Sequence, residues 1–202
     1  MQLYSKIPLS ASILAGGKSS RMKRHKCLLP VNNERIIDLV LANLKELFEE
    51  LFIVTNYPEL YFYKGIALLG DIYPFRGPMS GIHVAMKNSN YDIFAFACDM
   101  PFIKKEIIFT LSDKHIKQNN NATIPMYKDK IYPLPGIYSR KFISELERLI
   151  LEDKLSMTKF LKDIGAETVE VANLDKEGLS FININREEDL ELLKKGGIKC
   201  LD

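Results

Sequence analysis

Residues 10–22 read SASILAGGKSSRM. Ser10 to Leu14, with Ala11, Ile13 and Leu14 apolar, is the pattern of a short buried strand that runs straight into Gly16-Gly17. A polar and basic stretch, Lys18 to Lys26, comes next. Then Ile37, Val40, Leu41, Leu44, Leu47, Phe48 and Leu51 recur at spacings of three and four, the apolar stripe of an amphipathic helix. Leu51 to Thr55 (LFIVT) reads as a second strand. Strand, loop, helix, strand is the order that builds a parallel sheet with helices on its faces.

The order repeats downstream. Ile66 to Leu69 is a short strand ending at Gly70-Asp71, and a loop with Pro74, Gly77 and Pro78 leads into a helix from Met79 to Lys87. Asp92 to Ala97 (DIFAFA) is almost wholly apolar, as a parallel strand buried on both faces must be. It stops at Cys98-Asp99-Met100-Pro101, and a helix from Lys104 to Lys117 follows. Beyond it, the pattern predicts strands at Ala122–Tyr127 and Ile131–Ile137 joined by Lys128-Asp129-Lys130. Helices are predicted at Ser139–Leu151 and Met157–Ile164, then strands at Glu167–Val171 and Phe181–Ile184. Asn185 with Glu188 three residues later has the form of a capping box opening a last helix. The expected fold is α/β: one Rossmann-like domain over 1–202, a mostly parallel central sheet with helices on both faces. Within it the first half, 1–103, repeats this order regularly, and the second, 104–202, is less regular.

The totals agree with one soluble globular domain: 202 residues, 47% hydrophobic and 27% charged. A net charge of +2 is small for a nucleic-acid binder, and no aromatic platform accompanies the basic stretch, so no nucleic-acid partner is expected. No run of apolar residues is long enough to span a membrane, and Met1 to Ser10 lacks the apolar core of a signal peptide. Cys27, Cys98 and Cys200 lie too far apart for a zinc spacing, and their odd number speaks against a disulfide framework. The expectation is a reducing, cytoplasmic setting with no membrane contact.

Ligands of open α/β sheets bind at the carboxyl ends of the strands. Gly16-Gly17, Asp71 and Asp99 each follow such an end. Two glycines let backbone N–H groups approach phosphate oxygens, and Arg21 and Lys26 supply positive charge for a polyphosphate. Taken alone, the loop serves equally well as a tight turn with a solvated basic face. It is not a Walker loop, which would need glycine at Ser12, nor the Gly-x-Gly-x-x-Gly dinucleotide fingerprint. Asp99, after a buried strand and before Pro101, is placed to hold a magnesium ion bridging phosphates, although an Asp there also serves turn backbone. Asp71 is suited to accept hydrogen bonds from a ribose or base. Cys98 reads as a small buried apolar residue. Asn183 and Asn185 are candidates for the second substrate or the metal region. His25, His83 and His115 show no metal or triad spacing.

Together these residues resemble the molybdenum cofactor guanylyltransferases. The resemblance rests on Leu14-Ala15-Gly16-Gly17 through Arg21-Met22, Lys26 and Leu28-Leu29-Pro30, then Asp71 and Gly77-Pro78-Met79-Ser80-Gly81-Ile82. It continues in Cys98-Asp99-Met100-Pro101-Phe102, Pro133-Leu134, and Phe181 to Asn185 before Glu188-Asp189-Leu190. It covers nearly the whole chain. It implies that Leu14, Ala15 and Gly16 line the guanine nucleotide, that Lys26 meets its phosphates and that Asp71 binds the nucleotide; with the Gly17 amide facing phosphate, the expected nucleotide-binding half is 1–103 and the acceptor-binding half 104–202. It also implies that Asp99 binds both nucleotide and magnesium, and that Asn183 and Asn185 face the pterin. The implied reaction is GMP transfer from GTP to molybdopterin or molybdenum cofactor with pyrophosphate leaving, with Arg21, Lys26 and Asp99 as the catalytic residues. Molybdenum-insertion proteins and apo-molybdoenzymes are the implied partners. The pattern departs at Lys23, where the family usually has glycine, and at His25, where aspartate is common. Transfer of another base such as CMP, another phosphate acceptor, and a non-catalytic nucleotide or pterin carrier stay open at this point.

Overall fold

The computed structural model describes residues 6–16, 25–31, 34–185 and Asp189. Its strands are β1 (Ile7–Leu14), β2 (Pro30–Val31), β3 (Glu34–Arg35), β4 (Phe48–Val54), β5 (Ala67–Leu69), β6 (Ile93–Ala97), β7 (Ala122–Tyr127), β8 (Lys130–Ile131), β9 (Gly136–Tyr138) and β10 (Glu167–Glu170). Its α-helices are α1 (Ile36–Leu44), α2 (Pro78–Asn88), α3 (Lys105–Gln118), α4 (Ile143–Leu151) and α5 (Met157–Asp163). One sheet in the order β10-β7-β9-β6-β1-β4-β5 forms the centre, β8 pairs with β7, and β2 and β3 make a separate hairpin. β5, β4, β1 and β6 run parallel, as do β10 and β7. Only β9 and β8 pair antiparallel in the main sheet, so it is mixed but mostly parallel.

The period-2 alternation of strands assigns the two faces of this sheet. In β6, Phe94 and Phe96 point to the layer holding Ile37, Val40 and Leu44 of α1 and Ile107 and Leu111 of α3. Ile93 and Ala95 point to the other layer, with Met79 and Ile82 of α2, Leu146 of α4 and Phe160 of α5. Helices therefore cover both faces, and β6 is apolar throughout because neither face sees water.

Register decides where the strands end. Leu14 stands opposite Ala97 on one side and Val54 on the other, and Val54 stands opposite Leu69. Four parallel strands thus finish in one row, about 4.8 Å apart. From β1 the chain moves outward to β4 and β5, then returns to place β6 on the opposite side of β1. That reversal is a topological switch point, where an α/β sheet leaves a crevice.

Three sequence expectations are corrected. The α1 stripe does not run to Leu51: the helix ends at Leu44, and Phe48 already opens β4. The apolar residues Leu47, Phe48 and Leu51 satisfy the helical and the strand period at once, and sheet pairing decides between them. The strand expected at Ile131–Ile137 is split into β8 and β9, because Pro133 and Pro135 have no N–H to give a ladder. Phe181–Ile184 is not a strand. A 3-10 turn at Leu179–Phe181 leads into extended chain, and Phe181 is buried against the rings of Tyr127 and Tyr132, with centroids 5.4 and 4.4 Å away. The capping box at Asn185 and Glu188 and the helix after it fall outside the described residues, as do Gly17, Arg21 and Lys23.

Candidate active site

Just past the ends of the four aligned strands come Ala15-Gly16 after β1, Thr55-Asn56 after β4, Gly70-Asp71 after β5 and Cys98-Asp99 after β6. Of these, Ala15, Gly16, Asp71, Cys98 and Asp99 line a cavity of about 660 Å³, together with Leu14 and Lys26 among others. The start of α2 (Gly77, Pro78, Gly81) forms one wall, with Gly77 at φ 71°. A Cβ on Gly81 would stand 2.8 Å from Leu14 Cδ2, so the glycine is what lets α2 press against the end of β1. The opposite wall comes from the second half of the chain: Tyr132, Pro133, Leu134, Met157 and Asn183.

At one end, Asn56 Nδ2 donates to Asp71 Oδ2 at 2.8 Å, and the Asp71 N–H donates to Asn56 Oδ1 at 3.2 Å. This leaves Asp71 Oδ1 buried with no hydrogen-bond partner among the described residues. Burial raises the Asp71 pKa, and the Asn56 hydrogen bond only partly offsets it. A buried acceptor without a donor is costly, so a hydrogen-bond donor brought to Oδ1 would be stabilising. A Cβ on Gly16 would lie 3.5 Å from Asn56 Nδ2 and 3.7 Å from Asp71 Oδ2, filling the space above them.

At the other end stand Lys26 and Asp99. Lys26 opens a single 3-10 turn, Lys26–Leu28, and its Nζ donates to Asn185 Oδ1 at 2.5 Å. The carbonyl of Asp99 accepts from the Ile184 N–H at 2.8 Å, which fastens the 183–185 segment beside the end of β6. Burial raises the Asp99 pKa, and the Lys26 charge pulls it back. Among the described residues no cluster of three or more His, Cys, Asp or Glu side chains could enclose a metal. A lone, partly desolvated carboxylate fits magnesium, which keeps waters and takes most of its remaining ligands from substrate phosphates.

Of the residues singled out in the sequence, Leu14, Ala15, Gly16, Lys26, Asp71, Asp99 and Asn183 line this one cavity. Asn185 reaches it through Lys26. Gly17 and Arg21 lie outside the described residues. Asn56, which hydrogen-bonds Asp71, is not among the residues singled out in the sequence, although it too follows a strand end. His83 lies away from the cavity in the α2–α4 layer, its Nε2 3.4 Å from Glu147 Oε1. His115 bridges Thr123 and Asp92 at 3.0 and 3.1 Å, a core tie between α3 and the sheet.

The cysteine expectation is also corrected. Cys27 and Cys98 are joined by a disulfide, with Cα atoms 5.7 Å apart across a sequence separation of 71. Cys98 is buried, as expected, but it is not a solitary apolar filler. Folding brings the Lys26 turn onto the end of β6, a proximity that spacing along the chain does not reveal.

Residues 11–169 match the MobA-like NTP transferase domain. A Clostridium perfringens protein named probable molybdenum cofactor guanylyltransferase is 38% identical over 197 residues, covering 94% of this chain and 98% of that protein. One of the same name from Carboxydothermus hydrogenoformans is 32% identical, covering 93% and 95%. Among solved structures, molybdopterin-guanine dinucleotide biosynthesis protein A from Archaeoglobus fulgidus superposes with a TM-score of 0.82 at 25% identity, covering 95% of this chain and all of that one.

Proposed function

We propose that the chain, which belongs to the MobA-like NTP transferase family, transfers GMP from GTP to the phosphate of molybdopterin or molybdenum cofactor and releases pyrophosphate. The observation that carries this reading is the row of strand ends at Leu14, Val54, Leu69 and Ala97. That row brings to a single cavity an acid with one unpartnered oxygen, Asp71, and the charges of Lys26 and Asp99.

The Asp71 end takes the guanosine. The free Oδ1 is an acceptor, and guanine presents neighbouring N1–H and 2-amino donors. Leu14 and Ala15 pack along the nucleoside, and the backbone N–H groups of Gly16 and Gly17 hold phosphate oxygens. The Lys26 end takes the triphosphate, with Lys26 and Arg21 facing the charge that builds on the leaving pyrophosphate. Asp99 would hold magnesium, which would supply charge neutralisation at the phosphates. Asn183 and Asn185 place the pterin phosphate so that one of its oxygens meets the α-phosphorus. The new P–O bond forms as the bond to the oxygen bridging the α- and β-phosphorus breaks. The acceptor is already an anion, so the step asks the protein for position and charge neutralisation, not for a covalent intermediate. The proposed setting is the cytoplasm, with molybdenum-insertion proteins and apo-molybdoenzymes as neighbours in use. Among the described residues no helix is long and apolar enough to cross a membrane.

The test is pyrophosphate release with magnesium, molybdopterin and each of GTP, CTP, ATP and UTP, with the product weighed by mass spectrometry. Release with GTP alone, abolished in a folded Asp99→Ala variant, is expected. Release with CTP instead would keep the chemistry and replace the base. Silence with all four from folded protein would overturn the reading, and nucleotide or pterin binding without release would make the chain a carrier.

A further inference from the structure

We propose that Cys27 and Cys98 are a reversible thiol–disulfide site that sets how firmly the Lys26 turn is held against the nucleotide cavity. Both cysteines line the cavity and are otherwise buried, at 5% exposure each. Their Cα separation of 5.7 Å lies in the range that accepts a disulfide without backbone movement. Each is the immediate neighbour of a residue of the site: Cys27 follows Lys26, and Cys98 precedes Asp99. The bond therefore joins two loops that carry the charged end of the cavity and that come from opposite ends of the nucleotide-binding half.

The chemical step is balanced by a small-molecule disulfide such as glutathione disulfide. Two S–H bonds break and one protein S–S bond forms. Two protons and two electrons pass to the small disulfide, which leaves as two thiols. A dithiol reductant runs the reaction backwards. Reduction removes the covalent tie between the two loops and leaves the Lys26 turn held at Cys27 by side-chain packing alone. The end of β6 is fixed by its ladder to β1, with Phe96 opposite Ile13, Ala97 opposite Leu14 and the Cys98 N–H donating to the Leu14 carbonyl at 3.3 Å, while the Lys26–Leu28 turn is one short 3-10 segment, so the turn yields. The oxidised chain holds Lys26 in place before nucleotide arrives, and the reduced chain must order it on binding.

This inference rests on the proposed function for the ligand of the cavity, but not for the chemistry of the pair, and the experiment separates the two. The full chain is equilibrated across glutathione redox buffers, quenched, denatured, capped with N-ethylmaleimide and weighed. Its magnesium–GTP dissociation constant is measured in the oxidised and reduced forms. The expected result is three adducts on the reduced chain and one on the oxidised chain, with reduced protein binding GTP about threefold or more weakly, as loss of preorganisation predicts. A Cys27→Ser/Cys98→Ser variant is expected to bind like the reduced form and to ignore the buffer. Three adducts at every glutathione ratio, or equal GTP affinity of the two wild-type forms, would overturn the proposal without reliance on the variant's folding. If neither form binds GTP, the nucleotide reading fails and takes the affinity effect with it, while the adduct count still decides whether the pair is a redox site.

Discussion

Asp71→Asn offers the sharpest test, because function and stability should move in opposite directions. Burial raises the acid's pKa, so in the folded protein its charged form is disfavoured relative to the unfolded chain. That penalty is complete above the raised folded-state value and gone below the ordinary unfolded one. An amide of the same shape removes it at neutral pH. The hydrogen bond from Asn56 Nδ2, 2.8 Å in the wild type, survives because the new carbonyl oxygen accepts it. Its amino group then occupies the place of Oδ1, the atom with no partner among the described residues. A donor now faces the donors of guanine. Losing one hydrogen bond to a charged group costs about 1.5–3 kcal/mol, roughly a 10- to 150-fold weakening of GTP binding at 1.4 kcal/mol per tenfold. XTP, which presents a carbonyl where guanine has its 2-amino group, should weaken far less or improve. Calorimetric titration of both nucleotides with magnesium, beside a thermal melt, reads all of this. The expected outcome is a melting temperature equal to or above that of the wild type and a shift in preference from GTP toward XTP. GTP affinity within about twofold of the wild type, or a clear fall in melting temperature, would refute the assignment and make Asp71 a structural turn residue.

Lys26→Ala should lower kcat by two to three powers of ten, about the worth of one positioned oxyanion donor. Lys26 also holds down the pKa of Asp99, so in this variant Asp99 takes up its proton at higher pH. The acidic limb of the kcat/KM profile should therefore move upward in pH; an unmoved limb would mean that Asp99 does not control it. Gly81→Ala places a methyl 2.8 Å from Leu14 Cδ2. Overpacking of this kind costs about 1–3 kcal/mol, and a chain of this size loses roughly 2–4 °C per kcal/mol. A melt should show that fall, and GTP should bind more weakly as Leu14 is pushed into the cavity; an unchanged melt and affinity would show that the α2–β1 contact gives way freely.

Much of this molecule is legible along the chain because hydrophobic period is a local property. Residues 10–14, 51–55 and 92–97 declare buried strands by composition alone, Asp71 and Asp99 stand out as the first polar side chains beyond strand ends, and Gly16 as a glycine beyond another. The ordered motifs from Leu14 to Asn185 were enough to suggest the family. The sequence erred where one residue satisfies two periods, as at Leu47 and Phe48, and where prolines interrupt an apolar run, as between Ile131 and Gly136.

What only the tertiary structure decided is which strand ends stand side by side. Register depends on how whole faces pack, since a slip of one residue would turn every side chain of a strand to the opposite face. That packing aligns Leu14, Val54, Leu69 and Ala97, pairs Asn56 with Asp71, and reverses β9 against β6. It also sets Cys27 against Cys98 across 71 residues of chain. The sequence determined by itself which residues could do chemistry. Their common cavity came from long-range pairing, which no local pattern encodes.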